Sequence, residues 1–210
     1  VYKRQQLSSF YPDLLDPDFK SKFAIYHQRY STNTFPTWSL AQPFRVLAHN
    51  GEINTLKGNV NWMKAHETRI TDSFFGDRIE DLKPILDADA SDSASLDAAF
   101  EILLQTDRSL PMTKSMMIPE SWSNNTDMPE KLKNMYAYCN AVIEPWDGPA
   151  AVCANFGDWI VSGMDRNGLR PLRYIITDDD LLISGSEVGM VIVDDKHILK
   201  KGRVGPGELI

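Results

Sequence analysis

The sequence has little cysteine. Two residues, Cys139 and Cys153, stand among 210, too few for a disulfide framework and suited to a reducing cytoplasm or a plastid-like compartment. There is no CxxC and no HExxH, so neither a metal nor a cluster site is written in it. No apolar run reaches the ~18 residues of a membrane span, which argues against a membrane partner. Lys and Arg number 22 against 29 Asp and Glu, for a net charge of −7. The basic residues are scattered, which excludes a nucleic-acid footprint. No internal repeat or low-complexity tract stands out. No signal peptide is visible, and a chain cut at its N-terminus could not show one. What is present is 42% hydrophobic and 24% charged, the composition of one soluble globular domain large enough for a core.

The chemistry-bearing residues concentrate between Tyr26 and Trp62, in YHQRYSTNTFPTWSLAQPFRVLAHNGEINTLKGNVNW. Arg45 to Ala48 reads as a short strand entering His49-Asn50-Gly51-Glu52. Asn-Gly is a strong turn dipeptide and suits a hairpin. It also suits an oxyanion hole, in which a side-chain amide and a backbone N–H point at one developing negative oxygen. Upstream, Phe23–Gln28 reads as a strand that delivers Arg29 into a polar loop with Thr32. The planar fork of arginine matches a carboxylate, either of a ligand or of a structural ion pair. Further on, Asp89 to Asp97 reads as a helix start with Ser91 and Ser93 as capping candidates. Leu96, Phe100, Leu103 and Leu104 follow at the spacing of a buried face. Asp92 is then a first-turn carboxylate favoured by the helix dipole, or a group that holds a ligand ammonium.

Arginine for a carboxylate, aspartate for an ammonium and Asn-Gly for an oxyanion together suit an α-amino acid with a reactive side-chain carbonyl. At this point the sequence resembles the class II glutamine amidotransferase domain of glutamate synthases. The resemblance rests on HQRYSTNT, PTWSLAQPFR and LAHNGEINTLKGNVNWM, and continues through SDSASLD, WDGPAA, DRNGLRPLRY, SGSEVG and GRVGPGEL. The extended HNGEINT run is specific to glutamate synthases, whereas HNG, SDS and RNGLRPL are shared more widely. The resemblance implies that Arg29 holds the glutamine α-carboxylate with Thr32 beside it, that Asn50 and Gly51 form the oxyanion hole, and that Asp92 takes the α-ammonium. It implies a nucleophilic cysteine at the mature N-terminus. This chain starts at Val1, and Cys139 and Cys153 lie in a helical and a strand pattern that suit buried structural thiols. Residues 1–210 are therefore expected to be the C-terminal portion of one type 2 domain, lacking its first strands and nucleophile, and inactive alone. The alternative is a glutamine-binding or sensor module without catalysis. By resemblance, the whole enzyme carries FMN and an iron–sulfur cluster elsewhere. Its partners would be L-glutamine, a synthase domain of the same polypeptide, and a small reductase subunit or ferredoxin.

Along the rest of the chain, residues 1–20 read as a linking segment packed by Phe10, Tyr11, Leu14 and Leu15, and Trp38 as at least partly buried. Helices are expected from Asn54 or Thr55 to about Ile70, from about Ser93 to Thr106, and from Asp127 to about Ile143. Met112–Ile118 reads as a strand. Five short strands follow, at 150–154, 159–162, 172–177, 181–184 and 188–193, as an antiparallel meander. Asp165–Pro171 contains two arginines beside Asn-Gly, placed either to reach an anion or to pair with acidic neighbours. Trp62 and Met63 are assigned to packing and His66 to the surface. The class is α+β. The resemblance implies the four-layer αββα sandwich of antiparallel sheets found in N-terminal-nucleophile hydrolases, here partial.

Overall fold

The computed structural model describes residues 6–28, 34–70, 76–187 and 189–210. Two three-stranded antiparallel sheets organise it. The first has the order β1 (Leu47–Gly51), β2 (Ala150–Phe156), β3 (Trp159–Met164). The second has the order β5 (Leu182–Gly185), β4 (Arg173–Thr177), β6 (Ile198–Arg203). Between β1 and β2, among the described residues, lie four α-helices, α1 (Leu56–Glu67), α2 (Asp92–Leu104), α3 (Leu110–Met117) and α4 (Glu130–Val142), and a 3₁₀ helix over Gly76–Leu82.

The expected stripe of α2 is the buried one. Leu96, Ala99, Phe100, Leu103 and Leu104 join Val46, Leu47, Val152, Ala154 and Val161 in the main core, so the helices cover one face of the first sheet. Strand alternation sends Ala151 and Met164 to its other face, where they meet Leu172, Val204 and Tyr174 of the second sheet and its flanks. Helix, sheet and sheet thus stack in that order, and the α+β class of antiparallel sheets is the one expected.

Several local expectations are corrected. Met112–Ile118 is not a strand. Pro111 occupies the first turn of α3, where its fixed φ favours a helix, and Leu110, Thr113, Lys114 and Met117 form its buried i, i+3, i+4, i+7 face. A short apolar run does not by itself separate strand from helix. Phe23–Gln28 has no strand, because no neighbour pairs with it among the described residues. The sixth strand is Ile198–Arg203 rather than 188–193. Its Lys200 and Lys201 disguise it in the sequence, yet charges are what protect an edge strand. The strands form two sheets and not one meander, since β1 arrives from a hundred residues upstream to pair with β2. Trp38 is 90% exposed, Trp62 54%, and Phe10 and Leu15 80% and 71%, so none of these packs as expected. His66 is half-buried and pairs with Glu144 at 2.7 Å.

Candidate functional site

His49-Asn50-Gly51 is not a hairpin turn. It is the second half of β1, with Gly51 opposite Ala150 and Asn50 opposite Ala151. Glycine is required at this strand end by close approach: a Cβ on Gly51 would lie 1.8 Å from the Pro149 carbonyl oxygen. The entry to β1 is fixed by Asp97 of α2. Its buried carboxylate accepts from the backbone N–H of Val46 at 2.9 Å and Leu47 at 2.8 Å on one oxygen, and of Arg45 at 3.2 Å on the other. Burial pushes the Asp97 carboxyl up from its ordinary range, against the pull of those three donors.

The N-terminus of α2 meets the exit of β1. Ser91 caps the helix, its hydroxyl accepting from Ala94 N–H at 3.1 Å. Asp92 follows in the first turn, half-buried, and its Oδ2 accepts from Ile53 N–H at 2.8 Å. Ser93 reaches the His49 Nδ1 at 2.7 Å and Asp92 Oδ1 at 3.4 Å. His49 is 2% exposed, with its Nε2 unpartnered among the described residues. Burial depresses its pKa to about 4, more than the nearby Asp92 charge raises it, so the imidazole is neutral at physiological pH.

The Asn50 side chain meets a residue from far along the chain: Arg170 Nη2 donates to Asn50 Oδ1 at 2.5 Å. Of the two arginines in the Asp165–Pro171 loop, Arg166 pairs with Asp147 at 2.5 Å, the acidic-neighbour option, while Arg170 turns to the site. Asn50, Gly51 and Asp92, predicted separately, are thus gathered at one place, the junction of β1 and α2. Arg29 and Thr32 lie outside the described residues. His49, Ser93, Asp97 and Arg170 were missed as site residues. Each lies within one of the motifs, His49 in HNG, Ser93 and Asp97 in SDSASLD and Arg170 in RNGLRPL, but residue type and spacing gave none of them a site role.

Neither cysteine is arranged as a nucleophile. Cys139 is fully buried in α4 and Cys153 half-buried on β2, where its Sγ lies 2.8 Å from Ser162 Oγ. Burial raises both thiols, the opposite of what a thiolate attack needs. Among the described residues no group of three His, Cys, Asp or Glu could hold a metal ion, and no helix is long and apolar enough to cross a membrane.

A strand-end Asn-Gly beside a helix-start carboxylate, on an antiparallel α+β frame, belongs to a known class. The chain is a member of the class-II glutamine amidotransferases, whose family model matches residues 1–210. Within that family it is similar to the large chain of NADPH glutamate synthase from Azospirillum brasilense, at 59% identity over 100% of this chain. It is 48% identical to the corresponding chain of Bacillus subtilis, over 98% of this chain. Identity to the ferredoxin-dependent glutamate synthase of Pyropia yezoensis is also 48%, over 97% of this chain. The chain spans only 13–14% of the length of these relatives. A solved structure, the glutamine phosphoribosylpyrophosphate amidotransferase from B. subtilis complexed with ADP and GMP, matches 87% of this chain and 31% of its own. Its TM-score is 0.41 and its identity 19%, a likeness too loose to add to the assignment.

Proposed function

We propose that these residues bind L-glutamine and stabilise the oxyanion formed when its side-chain amide is attacked, as part of the ammonia-releasing domain of a glutamate synthase. The observation behind this reading is the tie between Asp92 and Ile53 N–H, which sets an ammonium-binding carboxylate two residues beyond the Asn50-Gly51 pair. Asn50 and Gly51 donate to the developing oxygen, and Asp92 takes the α-ammonium. Arg29, with Thr32, holds the α-carboxylate. The neutral His49 ties β1 to the start of α2 through Ser93.

In this reading the attacking thiol belongs to a cysteine outside residues 1–210, since both thiols within them are raised by burial. The thiol displaces ammonia, and water then cleaves the resulting thioester to release glutamate. The ammonia passes to a synthase domain of the same polypeptide for the reductive amination of 2-oxoglutarate to glutamate, with two electrons delivered through the reductase subunit or ferredoxin. Two cysteines, one buried in a helix and one on a strand, do not match the set of thiolates that an iron–sulfur cluster takes. The cluster and FMN are assigned to other parts of the polypeptide, and so is docking of a reductase subunit or ferredoxin. The compartment that fits the free thiols is the cytoplasm or a plastid.

The test uses the native full-length protein, an electrophilic glutamine analogue and peptide mass spectrometry. A label on a cysteine upstream of Val1 is expected. A label on Cys139 or Cys153 would overturn the assignment of the nucleophile, and glutamine binding without any label would favour a sensor module. In steady-state assays Asn50→Ala should lower kcat by ~10²–10³ with little change in KM, the signature of a lost oxyanion donor. Arg29→Ala should raise KM. Equal loss of affinity in both would sink the oxyanion role.

A further inference from the structure

We propose that Arg170 is the positioning residue of the oxyanion donor: its guanidinium fixes which way the Asn50 amide faces and polarises that amide toward the reacting oxygen. This rests on the glutaminase reading above and adds how that site is held.

A guanidinium has five N–H donors and no acceptor. The Asn50 atom that Arg170 Nη2 meets at 2.5 Å is therefore the amide oxygen, and the Nδ2 group faces the opposite way. An asparagine at a strand end with only solvent around it could rotate and present its oxygen to the substrate, which would repel a developing oxyanion. The hydrogen bond removes that freedom. It is also charge-assisted, and a cation on Oδ1 draws electron density from the amide, making Nδ2–H a stronger donor.

The arginine is itself held. It leaves the loop between β3 and β4, and its Nε is buried without a partner among the described residues. The loop is anchored at its start by Asp165, 1% exposed, whose carboxylate accepts from Ala150 N–H at 2.9 Å and Asn167 N–H at 3.0 Å. The carbonyl of Asp165 accepts from Gly207 N–H at 2.7 Å. The fully buried Lys114 donates from Nζ to Met164 O at 2.7 Å and Gly207 O at 3.0 Å, one residue before the loop and across from it. Arg166 is tied down separately by Asp147. A loop fixed at this many points spends little entropy to aim one side chain, and the side chain it aims inward is Arg170.

The experiment compares glutamine-dependent ammonia release by the native full-length protein and by Arg170→Met, Arg170→Lys, Asn50→Ala and the Arg170→Met/Asn50→Ala double variant. Arg170→Met should lower kcat by roughly 10- to 100-fold at nearly constant KM, less than the ~10²–10³ that follows loss of the donor itself. Arg170→Lys should recover part of the rate, because an ammonium can donate to Oδ1 but lacks the fork. In the Asn50→Ala background Arg170→Met should change kcat by less than about threefold, since the residue acts through the amide already removed. Multiplying losses in the double variant, an unchanged kcat in Arg170→Met, or an effect on KM alone would each overturn the proposal. Should Arg170→Met fail to fold, Arg170→Lys takes its place in the cycle, where its smaller loss of kcat should vanish in the Asn50→Ala background and a loss that persists there would overturn the proposal. Wild-type protein that releases no ammonia would overturn the glutaminase reading itself, before any variant is compared.

Discussion

Asp97 is the residue on which the geometry of β1 depends, and its replacement gives a graded prediction. The Asp97 side chain serves three successive backbone donors, two of them on one oxygen. In Asp97→Asn the amide oxygen can still accept from Val46 and Leu47, while the new NH₂ group faces Arg45 N–H. One hydrogen bond of ~1 kcal/mol is lost, and the desolvation cost of a buried charge disappears with it. The net change should be about 1 kcal/mol or less. In Asp97→Ala the N–H groups of Val46 and Leu47, both on buried residues, have no acceptor. Each orphan costs ~1–3 kcal/mol, roughly 2–6 kcal/mol for the pair; Arg45 is exposed and its N–H can turn to water. At 1.4 kcal/mol per factor of ten, opening of β1 becomes roughly 30- to 10⁴-fold easier in the alanine variant.

Hydrogen exchange read by mass spectrometry on a peptide covering Phe44–Gly51 measures this in the intact protein. Asparagine should leave exchange within about tenfold of wild type, and alanine should collapse the protection of that peptide. Equal exchange in the two variants would refute the reasoning, because it would mean that the shared oxygen does not hold the strand. The pH dependence has a definite sign. Asp97 has a folded pKa above its unfolded value, so the stability it contributes is complete below the unfolded carboxylate range and is lost as pH rises through the folded value. Asp97→Asn should flatten that slope.

The remaining predictions concern the site itself. Gly51→Ala would put a methyl carbon 1.8 Å from Pro149 O and 2.8 Å from His49 Nε2; backbone must move, at a cost of about 3 kcal/mol or more, seen as lost glutamine hydrolysis together with faster exchange across β1 and β2. His49, with its pKa lowered from 6.5 to about 4, contributes stability that is complete above pH 6.5 and is lost as pH falls toward 4, on the order of 3 kcal/mol; unfolding measured across that range should lose this slope in His49→Gln, and an unchanged slope would refute the neutral imidazole. Both thiols titrate high because they are buried, so iodoacetamide at pH 7.5 should leave Cys139 and Cys153 unmodified in the folded protein and alkylate both after denaturation.

The helices were legible where period and cap agreed. The 3.6-residue stripe of α2 and the Ser91 cap lie where the sequence put them, because burial of that stripe and local capping act in the same direction. α3 was misread since a run of methionines, isoleucine, threonine and lysine has no clear period, and the deciding feature was the pre-set φ of Pro111 in its first turn. β6 was missed because it is an exposed edge, where charge replaces alternation as the signature. Asn50, Gly51 and Asp92 were singled out from residue type and motif, and the fold brings them to one junction. Asp97 and the Arg170–Asn50 pairing were not, because each acts on backbone or side chain fifty residues or more away; the RNGLRPL motif offered Arg170 to an anion but did not mark the amide it meets.

The Asn-Gly pair shows the physical reason most clearly. Read locally, His-Asn-Gly after an apolar run is a turn, since both central residues tolerate left-handed conformations. In the fold it is strand, and the turn tendency is overruled by contacts from elsewhere. Asp97 grips the entry to β1 fifty residues away in sequence, Pro149 abuts its exit, Asp92 holds Ile53 from 39 residues away, and Arg170 holds the Asn50 amide from 120 residues away. Each of these is a backbone or charge-assisted hydrogen bond in a partly buried setting, worth more than the fraction of a kcal/mol by which a turn dipeptide prefers to turn. In the proposed glutaminase such a site keeps its donor geometry only while all its distant anchors hold, so substitutions at Asp97 or Arg170 should act on turnover through the orientation of Asn50 and leave the groups proposed to bind the substrate in place.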